Sequence, residues 1–329
     1  MKWDKGQSGE HVDDRRSSRR RRASSEPPKR RRRRTSSKPP TRRRKKSVPK
    51  SAAAAGIGLV VAAIAVIFGI KGGGENKSTG DESGEVESGA TTAEAEAEVE
   101  EKTSSNDDSV VSDRELVDFL TFLVNDTNAF WKKTFEKGHK LKYKPAKLVI
   151  FDRQTSSGCG KRRARGGPVY CPNDQKMYVP PSFFAELRRK HDAPGDFAQA
   201  LVIAHEMGHH AQLGLGITKV VHYKKKSEKR KSAALRWKRK QELQADCLAG
   251  VWAADIGKRG RLDPGDVEEA LIAVAAIGDD ALQKAAGRKV DRRKWGHGSS
   301  AQRVSHFKKG FRRGALTDCL RSLKSPYIK

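Results

Sequence analysis

The feature that most constrains this chain is an H-E-x-x-H motif inside a largely apolar stretch that begins at Phe197. His205 and His209 are four residues apart, so on a helix both imidazoles project from one face and can take two corners of a tetrahedral zinc site. Glu206 follows the first histidine, where its carboxylate can act as general base. A buried helix has no structural reason to carry such groups unpaired, because that costs several kcal/mol. The motif therefore predicts a zinc site.

A third protein ligand is expected, because catalytic zinc usually has three protein ligands and a water. A second apolar helix is predicted after Gln241, with Glu242 and Asp246 one turn apart on one face. Glu242 would complete the ligand set, and Asp246 would hydrogen-bond a ligand histidine. The alternative is two salt bridges from these carboxylates to nearby Lys and Arg residues. His210 points away from the ligand face and is interpreted as structural. The remaining downstream candidates are His222, His297 and His306.

The first third of the chain does not have a globular composition. Residues 1–50 hold 21 Lys or Arg residues against 5 Asp or Glu residues, and they are predicted to be a disordered basic arm. A nucleic-acid-binding arm is the functional alternative for this segment. The apolar segment that follows argues against it.

Residues 51–70 carry no charge and are long enough to cross the hydrocarbon core of a membrane once. A cleavable signal peptide fits poorly because about fifty residues precede this segment, far more than a normal basic leader region. A buried core helix fits poorly as well, because both flanks have disordered composition. Residues 71–112 hold 3 basic and 12 acidic residues, so the positive-inside rule places the N-terminus in the cytoplasm. The acidic stretch is predicted to be a flexible linker to an extracytoplasmic domain.

The folded domain is predicted over 113–329, starting after a capping-box pattern at Ser112. A buried strand is expected at 147–152 and a hairpin from Val169 to Val179. The helices are predicted at 182–190, 196–213, 227–257, 264–277 and 299–313. The fold class is therefore α+β, mainly helical, with a small sheet.

Several separate motifs in this domain resemble a known family. These are the segments His205 to Gln212, Glu242 to Cys247, Leu262 to Asp266, Ala276 to Asp280 and His297 to Arg303. Together they are similar to the bacterial family described as putative neutral zinc metallopeptidases, membrane-anchored proteins with a gluzincin-like site. The resemblance implies a zincin-like fold, one Zn²⁺ held by His205, His209 and Glu242, and Glu206 as base. The chain departs from the family at its basic arm, residues 15–46, and at the basic segment 219–240.

His297 lies six residues before Arg303, a spacing similar to the His-Pro…Arg element of membrane-associated gluzincins. Peptide hydrolysis by zinc needs a second electrophile to hold the oxyanion of the tetrahedral intermediate. His297 is therefore a candidate catalytic residue, and Arg303 is expected behind the metal ligands. The alternative for His297 is a loop histidine that bonds only to backbone.

The four cysteines, Cys159, Cys171, Cys247 and Cys319, form no C-x-x-C pair, which argues against a structural zinc knuckle. Outside the cytoplasm disulfides are permitted. The favoured pairing joins Cys159 to Cys171 across the hairpin and Cys247 to Cys319, and free buried thiols are the alternative.

The chain carries a formal net charge of +29, with dense basic runs in the segment 219–240. Anionic cell-envelope polymer or acidic lipid are possible partners of these runs, while nucleic acid is disfavoured because interleaved aromatic residues are missing. The sequence thus predicts a single-pass membrane protein whose extracytoplasmic domain hydrolyses peptide or protein substrates with zinc. Two alternatives are an inactive cell-envelope protein with structural zinc and a polyanion-binding module.

Overall fold

The computed structural model of the chain describes residues 1–16, 113–191 and 195–328. These ranges contain a four-stranded sheet, a separate two-stranded hairpin and the helices that make up most of the fold. The predicted mainly helical α+β class is confirmed. The membrane segment predicted at 51–70 and the linker predicted at 71–112 lie outside the described residues. Within the described ranges, no helix has both the length and the apolar character that crossing a bilayer requires.

The strands are short and form two sheets. They are β1 (Val12–Asp14), β2 (Lys147–Ile150), β3 (Gln154–Ser157), β4 (Gly160–Arg163), β5 (Val169–Cys171) and β6 (Lys176–Val179). The larger sheet has the order β1-β2-β6-β5, in which β1, β2 and β6 are parallel and β5 is antiparallel to β6. The predicted hairpin is β5 with β6, and β5 is left at an edge. β3 and β4 pair with each other in a second, antiparallel hairpin.

The helices follow the predicted order, with three additions. They are α1 (Asp113–Lys133), α2 (Ser182–His191), α3 (Asp196–Gly214), α4 (Ile217–Ser227), α5 (Lys231–Lys258), α6 (Asp266–Ala276), α7 (Asp279–Ala285), α8 (Ser300–Arg313) and α9 (Leu316–Cys319). A π-helical turn, Thr134–Gly138, extends α1. The helix predicted from residue 227 begins later, at Lys231, because Glu228 and Arg230 have extended backbone angles. The additions are α4, α7 and α9.

The first 16 residues belong to the folded domain, so the prediction of a disordered arm over 1–50 is wrong for this part. β1 pairs in parallel with β2 and places Val12 opposite Leu148. The Trp3 ring lies 5.3 Å from the Phe119 ring of α1. This segment has no periodic pattern of its own, and its order comes from partners more than a hundred residues away. Residues 17–50 lie outside the described ranges.

The core is built where α5 packs against α3 on one side and α8 on the other. Gly208 on α3 faces α5, where an added Cβ would lie 3.0 Å from the Ala245 carbonyl oxygen. A Cβ at Gly310 of α8 would collide with the Cys247 carbonyl oxygen of α5. Side chains at these two positions would hold the helices apart. The glycines therefore set the close spacing that brings the predicted site residues together.

Both predicted disulfides are present in the structure. Cys159 is bonded to Cys171, which ties the β3–β4 hairpin to the edge strand β5. Cys247 is bonded to Cys319, which ties α9 to the middle of α5. The second bond closes a loop of 72 residues in sequence, and closing a loop of that length stabilises a fold by about 4 kcal/mol in the chain-entropy description.

Candidate metal centre

The three predicted zinc ligands meet in space although they come from two helices. His205 and His209 lie one turn apart on α3, and Glu242 lies on α5. The Nε2 atoms of both histidines are 3.4 Å from the same oxygen, Glu242 Oε2. Among the described residues, these three form a group whose ligand atoms all lie within 4.8 Å of one another. The three side chains are only 12–16 % exposed, so the group is largely enclosed by the domain.

The hydrogen bonds on the far side of each imidazole fix which nitrogen faces the cluster. His205 Nδ1 lies 2.8 Å from Asp246 Oδ1, and His209 Nδ1 lies 2.9 Å from Gln212 Oε1. Both partners are oxygen acceptors, so each Nδ1 donates to its partner and each Nε2 is the nitrogen that faces the cluster. Two imidazole nitrogens and a carboxylate oxygen therefore face one another. A proton or a metal ion would satisfy these groups, and this nitrogen and oxygen donor set fits Zn²⁺.

The surrounding carboxylates favour positive charge at the cluster. Burial lowers the pKa of His205, but the adjacent Asp246 outweighs burial and raises that pKa to about 10. Burial also lowers the pKa of His209, and Glu242 raises it above its ordinary value. Burial would raise the pKa of Glu242, yet the two histidines hold it well below the usual range. A proton can thus hold the metal-free cluster together, and a metal ion would replace that proton.

A buried ion pair orients the first ligand. Arg303 on α8 donates from Nε to Asp246 Oδ2 at 2.9 Å and from a terminal nitrogen to Oδ1 at 2.8 Å. Burial raises the pKa of Asp246, but Arg303 and His205 lower it to about 2. A third guanidinium nitrogen donates to the Ile277 carbonyl. Asp246 therefore stays ionised and holds the His205 ring in one orientation, as predicted for a residue behind the ligands.

The candidate general base, Glu206, is held in place by the edge strand β5. Glu206 is buried, with 8 % of its surface exposed, and its Oε2 accepts a hydrogen bond from the Tyr170 backbone nitrogen at 2.6 Å. Tyr170 lies in the middle of β5. This bond fixes one carboxylate oxygen and leaves the other, Oε1, to act on a substrate or water.

His210 has the structural role that its position predicts. Its Nε2 lies 2.7 Å from the Lys144 carbonyl oxygen, and its Nδ1 lies 2.8 Å from the Tyr170 hydroxyl. A carbonyl can only accept, so Nε2 carries the proton and Nδ1 accepts from the tyrosine. Burial lowers the pKa of His210 to about 4, which keeps the ring neutral. It joins α3 to the loop before β2.

The predicted oxyanion residue lies at the mouth of the site with two partners. Asp279 accepts a 2.6 Å hydrogen bond from the His297 backbone nitrogen, and its other oxygen lies 3.2 Å from His297 Nδ1. His297 Nε2 lies 3.3 Å from the Lys238 amine. The His297 side chain is 42 % exposed. The helix that follows, α8, begins with a capping box formed by Ser299 and Gln302.

Four residues around the site have no role predicted from the sequence, although two of them, Gln212 and Asp279, lie in segments that carry the family resemblance. They are Gln212, Tyr170, Asp279 and Lys238. A local signal exists for two of them, because Gln212 follows His209 by three residues and Lys238 precedes Glu242 by four. Tyr170 acts through its backbone nitrogen, which no side-chain pattern can indicate. Asp279 is close to His297 only because α6 and α7 fold back onto α8.

A second group of carboxylates, Asp196, Asp266 and Glu269, lies at the start of α3 and α6. The Met1 amine lies among them, 2.9 Å from Asp196 and 3.3 Å from Asp266. This group therefore already has a cationic partner, and it fastens the N-terminal segment to two helices.

A family model described as a putative neutral zinc metallopeptidase matches residues 1–321 of the chain. An uncharacterised Escherichia coli protein named YpfJ is 42 % identical over 205 residues, which is 62 % of this chain and 71 % of that protein. An uncharacterised Mycobacterium tuberculosis protein is 34 % identical over 206 residues, which is 59 % of this chain and 67 % of that protein. No solved structure gives a significant match.

Proposed function

The chain belongs to the family of putative neutral zinc metallopeptidases, and on that premise we propose that it hydrolyses peptide bonds with one zinc ion. The ligands would be His205, His209 and Glu242, as the family resemblance implies. The observation that carries the proposal is the convergence of both histidine Nε2 atoms on Glu242 Oε2, 3.4 Å away, with each Nδ1 held by another partner.

The number of ligands favours a catalytic ion over a structural one. Structural zinc is usually held by four protein ligands, whereas catalytic zinc has three and an open position. The cluster in the described residues has three. Zinc, when bound, would polarise the scissile carbonyl and make water more acidic at neutral pH.

Glu206 would act as the general base. It follows the first ligand on α3, its Oε2 is fixed by the Tyr170 N–H, and its Oε1 remains for a proton. It would take the proton of the attacking water and return it to the leaving amine. His297 remains the candidate that steadies the oxyanion, with Asp279 holding its ring. A zincin-like fold remains a prediction from the family resemblance.

The two disulfides support a location outside the reducing cytoplasm, because such bonds persist in oxidising compartments. Attachment to a membrane through residues 51–70 rests on the sequence alone. Binding of anionic polymer or lipid by the basic helices α4 and α5 is likewise a proposal, supported by the charge of segment 219–240.

The proposal is tested with the purified full-length chain and a mixture of unmodified peptides. We expect one zinc per chain, cleavage that stops when a chelator removes the ion, and recovery on adding one equivalent of zinc. Circular dichroism of the chelated protein distinguishes loss of the ion from loss of the fold. Cleavage that persists in the folded, zinc-free protein would rule out the mechanism.

A further inference from the structure

We propose that Lys238 determines specificity by binding a carboxylate of the substrate at the mouth of the metal site, so that acidic peptides are preferred. This inference rests on the proposed peptidase function and names a substrate class for the same site.

Lys238 reaches the site from the helix that carries the third ligand. It lies one turn before Glu242 on α5, and its amine is 3.9 Å from Glu242 Oε1. The same amine is 3.3 Å from His297 Nε2. The side chain is 36 % exposed, whereas Glu242 is only 12 % exposed. The ammonium group thus stands between the buried ligands and solvent, where an incoming peptide would meet it.

The charge of Lys238 is not fully matched by its surroundings. The other cation near the cluster, Arg303, is paired through two hydrogen bonds with the buried Asp246. Within the described residues, the carboxylate near Lys238 is Glu242, which is also placed to hold the metal. His297 turns its Nδ1 side to Asp279 and its Nε2 side to Lys238, so it brings no negative charge to the Lys238 amine. A substrate carboxylate would supply the missing negative charge.

The nature of the side chain favours substrate recognition over oxyanion stabilisation. An oxyanion donor works best when it is rigid and shielded from water. Lys238 is flexible, partly exposed and strongly hydrated, and these properties suit a point-charge contact with a carboxylate. Gly296, on the facing loop, leaves room for it, since an added Cβ would lie 3.3 Å from Lys238 Cδ.

The test compares the full-length zinc-loaded protein with Lys238→Gln, Lys238→Arg and Lys240→Gln. Lys240 is the matched control, because its amine lies over the Trp237 ring at 4.7 Å on the same helix. A peptide library first locates the position at which Asp or Glu is enriched around the cleaved bond. Amide-capped peptides that differ only by Glu or Gln at that position are then compared, and a free C-terminus is compared with an amide. The two arms distinguish a side-chain carboxylate from a terminal one.

For the wild type and for Lys240→Gln, we expect kcat/KM to be about five-fold higher with the charged peptide than with the neutral one. A partly exposed ion pair contributes a free energy of that size. Lys238→Gln should abolish the preference, Lys238→Arg should retain much of it, and added salt should weaken it. A second measurement, fluorescence anisotropy, avoids turnover by using the Glu206→Gln protein. The charged peptide should bind this protein more tightly than the neutral peptide does. Adding Lys238→Gln should remove that difference in affinity.

The outcomes separate this inference from the function on which it rests. Cleavage of both peptides at equal rates by the wild type, or an equal preference in Lys238→Gln, would overturn the assignment of Lys238 and leave the peptidase intact. Zinc-loaded protein that cleaves neither peptide would overturn the peptidase, and the anisotropy measurement would still decide whether Lys238 binds carboxylates.

Discussion

The two ligand helices and the N-terminal segment belong to one folded unit, yet they are ordered in different ways. Helices α3 and α5 each have an apolar pattern of their own, and they meet through Gly208 and a network of buried polar groups. The segment 1–16 has one short strand, and its order comes from contacts with other parts of the domain, among them β2, α1, α3 and α6. The difference shows that a region can belong to a fold without carrying a local signal of structure.

The pairing of β1 with β2 conflicts with one membrane topology. A single crossing by residues 51–70 would place residues 1–16 and residues 113–329 on opposite sides of the membrane, where they cannot pair. Because β1 and β2 share backbone hydrogen bonds, the fold predicts that both regions lie on the same side.

The largest expected effect is on the labelling of two cysteine reporters, which tests this topology, because each site either reacts or does not. Cysteine reporters at Gly9, where an added side chain meets open space, and at the exposed Tyr223 should react equally with an impermeant thiol reagent in intact cells. Because disulfides indicate an oxidising compartment, both should be labelled. Labelling of Tyr223→Cys without Gly9→Cys, with both labelled after lysis, would support the single crossing and contradict the pairing of β1 with β2.

The next largest effect tests the polar network behind the ligands. Arg303→Met should lower the free energy of unfolding by about 3–5 kcal/mol, because it leaves the buried Asp246 carboxylate without its guanidinium partner and with His205 alone. Denaturant titration measures the change. The control is Arg293→Met, which removes a pair on the surface and should leave the unfolding midpoint unchanged. A small effect of Arg303→Met would mean that α8 does not hold the ligand helices together.

The free energy of unfolding should also depend on pH through His210, which lies at the junction between the helices and the sheet. The pKa of His210 is lowered to about 4 in the fold, from an ordinary value of 6.5, so between these values the unfolded chain binds more protons. Stability should therefore be full above about pH 6.5 and fall as the pH decreases towards 4, by roughly 2–3 kcal/mol.

His210→Gln is the comparison for this effect, since glutamine does not titrate in the same range. The unfolding midpoint of the variant should depend less on pH between 4 and 6.5 than that of the wild type. Parallel pH profiles for the two proteins would show that His210 is not the group responsible.

The smallest effect in this series belongs to the N-terminal segment. Trp3→Ala should cost about 2 kcal/mol, less than a fully buried tryptophan, because Trp3 is only partly buried against Phe119 and Phe122. Zinc content should stay the same, since Trp3 contacts none of the ligands. Lys2→Ala, which removes a long, exposed pair with Asp263, serves as the control, because Lys5 would not be independent: its amine lies over the Trp3 ring. An unchanged midpoint for Trp3→Ala would mean that the segment packs only loosely.

The predictable part of the structure is the part with local causes. The H-E-x-x-H spacing and the apolar run around it identify α3, and the pair Glu242 and Asp246 identifies the ligand face of α5. The cysteine pairs followed from where the hairpin and the C-terminal segment could be fastened. The motif, the pair of carboxylates and the Cys159–Cys171 bond each depend on residues close in sequence, whereas Cys247 and Cys319 are 72 residues apart.

The unpredicted part depends on contacts that are distant in sequence. β1 forms because it pairs with β2. The basic and polar residues around it indicate disorder when the sequence is considered alone. Tyr170 anchors Glu206 through a backbone nitrogen from another element. The sequence places Lys238 in a basic run, and only the fold shows that its amine lies next to His297.

The measurement that tests the central claim most directly is peptide turnover by Glu206→Gln in the full-length protein. The glutamine keeps the hydrogen bond to Tyr170 available but cannot take a proton, and the three metal ligands are untouched. Zinc content and the unfolding midpoint should stay the same, while turnover falls by about 10²–10⁴-fold; Glu268→Gln, an exposed carboxylate on α6, should retain wild-type turnover. Wild-type cleavage that Glu206→Gln matches with zinc still bound would contradict Glu206 as the base.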